Sequence, residues 1–138
     1  MTDLDALIAK ARAALAEGAG KTVPVELGGE LVDIELKPVS GYVWATLIAT
    51  HPPRDNAAVD ATVGFDSDAV GRDYPVEKIL VAGQPVDEAK WRAVFEVLTG
   101  PGVHAVAAAL WAINQVEPQS RVLQLGKARS SGPKKKRS

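Results

Sequence analysis

The sequence predicts an α+β fold: a β-hairpin packed against about five mostly short α-helices, followed by a disordered basic C-terminal tail. Three observations predict it. Residues 22–37 alternate apolar and polar side chains on either side of Gly28-Gly29, which is how a hairpin reads. Apolar residues recur at helical spacing in the segments before and after it. The charge is also unevenly distributed. Residues 1–118 hold nine Lys and Arg against seventeen Asp and Glu, a net −8, whereas residues 119–138 hold seven cationic residues and no acid. Residues 1–118 therefore read as one globular domain and residues 119–138 as a flexible arm.

The first segment, residues 2–17, places Leu4, Leu7, Ile8, Ala11 and Leu15 on one helical face. Thr2 is the expected N-cap, with Asp5 three residues later, and Gly18 and Gly20 end the helix. In the hairpin, Val23, Val25 and Leu27 form one run and Val32, Ile34 and Leu36 the other. A two-residue turn at Gly28-Gly29 sets Val25 opposite Val32 and Val23 opposite Ile34. Pro24 cannot donate to a ladder, so the first strand belongs at an edge. Two strands alone are marginal, so their apolar face requires helices above it.

Ser40 caps a predicted short helix at 41–50, with Trp44, Leu47 and Ile48 as its buried stripe, stopped by His51-Pro52-Pro53. Residues 52–72 read as a long polar connection, and a loop of that length in a compact domain is usually functional or mobile. Residues 73–82 carry a short apolar element, Val76, Ile79, Leu80 and Val81, expected to be helical. Asp87 caps a helix in which Trp91, Val94, Phe95 and Leu98 follow i, i+3, i+4, i+7. Gly100-Pro101-Gly102 breaks it. A last helix over 103–116 turns Val103, Val106, Leu110 and Ile113 inward, and Pro118 is expected to end it.

The chemistry-bearing patterns are sparse. The chain has no cysteine, which excludes disulfides and thiol nucleophiles. Gly20-Lys21-Thr22 resembles the end of a P-loop, but the earlier glycine position is Leu15, and the expected order of strand then helix is inverted. Asp66, Asp68, Gly71 and Glu77 approach EF-hand spacing, but Val70 stands where an oxygen ligand belongs. His51 and His104 have no partners at metal-ligand spacing. The expectation is a non-catalytic protein with no metal and no cofactor.

Trp91 has core spacing, whereas Trp44 and Trp111 sit beside small residues and suit either core or partner surface. The basic arm suits phosphate contact, yet it lacks an aromatic for base stacking and the acidic body repels phosphate. No run approaches the ~18 apolar residues of a membrane span. Residues 1–20 also lack the basic-then-apolar order of a signal peptide, so the expected address is the cytoplasm.

The order of features adds a resemblance. Tyr42-x-Trp44-x-x-Leu47-x-x-x-His51-Pro52-Pro53 is followed by Gly64-Phe65-Asp66-x-Asp68 and Pro85-Val86-Asp87. Trp91-x-x-Val94-Phe95-x-x-Leu98 and Ala109-Leu110-Trp111-x-x-Asn114 come next. Across residues 20–116 this resembles the tail assembly chaperones of long-tailed, siphovirus-type phages and prophages of actinobacteria.

The resemblance implies a small protein of the host cytoplasm, absent from the finished virion. Such proteins bind the tape-measure protein and help tail-tube subunits polymerise around it. It also implies a longer form made by ribosomal frameshifting, for which Pro133-Lys134-Lys135-Lys136 is a candidate slip region. The expected partner contacts are Trp44, His51, Pro52, Pro53, Phe65 and Trp111 in the body. In the tail they are Lys127, Arg129, Lys134, Lys135, Lys136 and Arg137. Self-association is compatible with this reading. The competing classes are a nucleic-acid-binding phage accessory protein that uses the basic arm and a structural tail or connector subunit.

Overall fold

The computed structural model describes residues 3–18 and 20–130. The fold is α+β, as the sequence predicts, with a four-stranded antiparallel sheet in the order β1-β2-β3-β4. Helix α1 (Leu4–Glu17) precedes β1 (Lys21–Leu27) and β2 (Glu30–Leu36). The hairpin has the expected register, with Val23 opposite Ile34 and Val25 opposite Val32. Gly28 and Gly29 both have positive φ, 63° and 83°, as the two-residue turn requires. Pro24 lies on the edge strand β1.

Helix α2 (Gly41–Ala49) starts where Ser40 Oγ accepts from the Val43 N–H. Residues 52–72, expected as a loop, instead hold two short helices, α3 (Ala58–Val63) and α4 (Ser67–Arg72). Each is only six residues long, too short to establish a period of its own. They are set by Asp66, whose carboxylate caps α4 through the Ala69 N–H, and by Gly64 at φ 91° between them.

A second correction falls on residues 73–82, where one 3-10 turn (Val76–Lys78) leads into a strand, β3 (Ile79–Val81), and not into a helix. Strand β3 pairs with β2 and turns through Ala82-Gly83 into β4 (Gln84–Pro85). Helix α5 (Glu88–Val97) is capped by Asp87 as expected.

Helix α6 (Gly100–Trp111) shows why Gly100-Pro101-Gly102 is a start as well as a break. Thr99 caps the helix, and Pro101 sits in its first turn, where its missing N–H costs nothing. Pro118 does not end the chain's last helix. Residues Ala112–Val116 form a π-helical turn that continues into α7 (Glu117–Ser130). A proline ring clashes with the carbonyl four residues back in an α-helix, and the wider turn ahead of Pro118 relieves that clash. The basic arm therefore does not begin at residue 119. Residues 119–130 are helical, and Lys134, Lys135, Lys136 and Arg137 lie outside the described residues, as does Thr2.

The core lies between the inner face of the sheet and helices α2, α4, α5 and α6. Val23, Val25, Ile34, Leu36 and Ile79 face Trp91, Val106 and Leu110. Helix α6 packs on both β1 and α4. Gly71 of α4 lies against Phe95 and Val106, which a Cβ there would meet at an ordinary contact distance of 3.4 Å. Its carbonyl accepts from the Trp91 indole at 3.0 Å. Helix α1 buries none of its residues, and Leu4, Leu7 and Ile8 stay exposed.

Candidate partner-binding groove

An apolar groove of about 590 Å³ opens between α3, α4 and one face of α6. Val63 and Phe65 line it on one side, and Ala107, Ala108 and Trp111 on the other. The alanines follow from the composition of α6, which places Ala107 and Ala108 outside its buried residues. Phe65 joins the two tryptophans at the base of the groove. Its ring lies 5.8 Å from Trp44, edge-on, and 5.8 Å from Trp111, tilted. Contacts of this kind stiffen an aromatic cluster beyond what area burial supplies.

At the α4 end the groove is rimmed by charge. Asp60 is fully buried, and burial of a bare carboxylate is costly. Arg54 compensates. Its Nε–H donates to Asp60 Oδ2 at 2.8 Å and its Nη2 to Oδ1 at 2.9 Å, and its backbone N–H reaches Oδ2 at 2.9 Å. The Arg54 hydrogen bond outweighs desolvation and holds the Asp60 carboxyl down at about 2. Arg54 also meets Asp66 at 3.2 Å and Asp68 at 3.1 Å. One guanidinium thus faces three carboxylates. His104 stands on the α6 wall of the same groove.

A second polar cluster ties three helices together behind the groove. His51 Nδ1–H donates to the Leu47 carbonyl at 2.8 Å, and Nε2 meets Asp73 Oδ2 at 2.8 Å. Asp73 also accepts from Arg72 at 2.9 Å and from Arg92 at 2.8 Å. Partial burial disfavours the His51 charge, but the Leu47 carbonyl and the Asp73 carboxylate outweigh it and raise the His51 pKa. The Arg72 hydrogen bond, opposed by burial and assisted by His51, holds Asp73 at about 2.

The expected contact residues separate into groups. Phe65 and Trp111 line the groove. Trp44 does not reach it; the residue is 5% exposed and its indole N–H donates to Gln115 Oε1 at 3.2 Å. Trp44 therefore supports Phe65 from within the core and offers a partner almost no surface. His51 is turned to Asp73, and Pro52 and Pro53 are exposed on the adjoining segment. Lys127 and Arg129 lie on the exposed α7, apart from the groove.

Sequence reasoning missed Arg54 and Asp60. The only signal available was a lone Arg six residues before an Asp in an acidic segment, and that spacing points to no motif. Ala107 and Ala108 were missed because small residues on a helix carry no periodic signal.

Among the described residues, no group of three or more His, Asp or Glu could hold a metal ion, and no helix is long and apolar enough to cross a membrane. Comparison of the chain with protein-family models, with curated proteins and with solved structures yields no match.

Proposed function

We propose that this protein is a non-catalytic binding module that shelters an apolar helical segment of a partner. More particularly, we propose a phage tail assembly chaperone that acts in the host cytoplasm on the tape-measure protein. The observation that carries the first step is the groove itself: aromatic and alanine walls, a charged rim, and Phe65 and Trp111 backed by the buried Trp44. Helix-in-groove recognition needs an apolar trough flanked by polar groups. A tape-measure protein is a long, largely helical chain whose apolar faces must be covered until the tube forms. The second step rests on the resemblance carried by residues 20–116.

Co-expression with the tape-measure protein of the same phage tests both steps. The expected result is soluble, co-purifying tape-measure protein with the native chain, and precipitation when Ala108→Trp fills the groove of an otherwise folded protein. Tape-measure protein that stays insoluble with the native chain would remove the chaperone assignment. Rescue that survives Ala108→Trp would move the contact away from the groove.

A further inference from the structure

We propose that the groove selects amphipathic helices that carry Lys or Arg beside their apolar face, through Asp68 and the excess of negative charge around Arg54; the inference rests on the groove being the partner-binding surface. The Arg54 side chain is 47% exposed and its guanidinium is shared among three carboxylates. Its Nε and Nη2 are both engaged by the buried Asp60, whose two oxygens face Arg54. Asp66 and Asp68 touch the same guanidinium at 3.2 and 3.1 Å, so the rim keeps an excess of two negative charges. Neither carboxylate is deeply buried: the Asp66 side chain is 17% exposed and that of Asp68 25%.

Of the two, Asp68 lines the apolar trough, while Asp66 caps α4 through the Ala69 N–H. A helix laid along Val63, Ala107 and Trp111 would strip water from Asp68. A neutral or acidic flank would leave the negative charge in excess of Arg54 desolvated and uncompensated, which disfavours binding. An ammonium or guanidinium would satisfy the excess charge and speed encounter with the acidic body.

The chain's own α7 does not meet this need in place. It continues from α6 through the π turn, so it runs on from the wall that lines the groove and does not fold back across it. The α7 of a second copy carries Val122, Leu123 and Leu125 exposed, with Arg121 and Lys127 beside them, and is the rival occupant.

The test uses the full chain and two synthetic helical peptides with one shared leucine and alanine face, flanked by Lys in one and by Glu in the other. Binding is followed by tryptophan fluorescence at low salt, and the oligomeric state by sedimentation. The expected result is about tenfold tighter binding of the Lys peptide, with Asp68→Asn reducing the preference to about threefold and leaving the fold intact. Equal affinity for the two peptides, or preference for Glu, would overturn the charge selection while leaving the groove as a binding surface. Absence of binding by either peptide to a monomeric chain would remove the groove reading and the proposal with it. Self-association abolished by Leu125→Ser, with peptides excluded until the copies separate, would assign the groove to a second copy and overturn the proposal.

Discussion

Arg54 holds both oxygens of Asp60, with Nε at 2.8 Å and Nη2 at 2.9 Å from a carboxylate that has no solvent exposure. The pair closes the segment from the end of α2 to α3 and fixes one end of the groove. Removing one partner of a buried pair leaves a charge without compensation, at a cost of roughly 3–5 kcal/mol. The Arg54 side chain is 47% exposed, so water softens the loss. Arg54→Ala is expected to destabilise by about 2–3 kcal/mol in urea denaturation. The double variant Arg54→Ala, Asp60→Leu is expected to recover part of that, because no buried charge remains. A double variant less stable than Arg54→Ala would show that the carboxylate is held by something other than Arg54.

The same charges set an acid limit. Asp60 and Asp73 are held at about 2, below the ordinary value near 4. A carboxyl whose folded pKa is depressed binds protons more readily when unfolded. Its contribution is full above the unfolded pKa and is lost as pH falls towards the folded one. Unfolding free energy is expected to drop steeply between about pH 4 and pH 2, and Asp73→Asn is expected to flatten that drop. An unchanged slope in Asp73→Asn would mean that other carboxylates carry the acid transition.

His51 works in the opposite direction. Its pKa is raised, so the folded state favours the imidazolium that bridges Leu47 and Asp73. That contribution is full below the unfolded value near 6.5 and is lost as pH rises through the raised folded value. Stability of the native chain is expected to decline as pH rises above about 6.5, and His51→Gln is expected to lose this dependence. An NMR titration that places the His51 pKa below 6.5 would contradict the geometry.

Much of the scaffold is legible in the sequence because its signals are periodic or stereochemical. Gly28-Gly29 determines the hairpin register, Asp87 and Ser40 determine helix starts, and the Trp91 stripe determines the buried face of α5. The legible elements are those that encode themselves locally. Strand β3 does not. Ile79-Leu80-Val81 is too short to show a period, and only pairing with β2 makes it a strand. Helices α3 and α4 are six residues each, too short to show a period, and the Asp66 cap and Arg54–Asp60 pair that set them follow no recurrent spacing. Pro118 misleads for a similar reason, since its expected helix stop is absorbed by the π turn before it. The aromatic half of the groove, Phe65 and Trp111, is visible in the sequence, but its charged rim is not.

Ala82 sits at φ 52° in the β3–β4 turn, in the left-handed region that an L side chain enters at a cost of roughly 1–2 kcal/mol. Glycine removes that strain but loses more backbone entropy on folding, about 0.5–1 kcal/mol. Ala82→Gly is therefore expected to raise stability by about 0.5–1 kcal/mol, read as a higher urea midpoint at constant slope. A lower midpoint would mean that the Ala82 methyl makes a contact worth more than the strain.

Asn114 joins the π turn to the sheet side of the core. Its Oδ1 accepts from the Val39 N–H at 3.0 Å, and its Nδ2 donates to Tyr74 Oη at 3.0 Å. Tyr74 in turn donates to the Lys37 carbonyl at 2.6 Å. Burial pushes the Tyr74 hydroxyl up to about 12, so it stays neutral and keeps donating. The wider turn carries Asn114 as well as preceding Pro118. It directs Asn114 and Gln115 at Val39 and Trp44 and sets the direction in which α7 leaves the domain. Asn114→Ala leaves a partly buried N–H without an acceptor, at a cost of about 2 kcal/mol. The Val39 amide is expected to lose its protection from hydrogen exchange in that variant while the β1–β2 amides keep theirs. Loss of protection across the whole sheet would instead make the network a condition of folding, and the position of α7 a consequence of the fold and not of this one side chain.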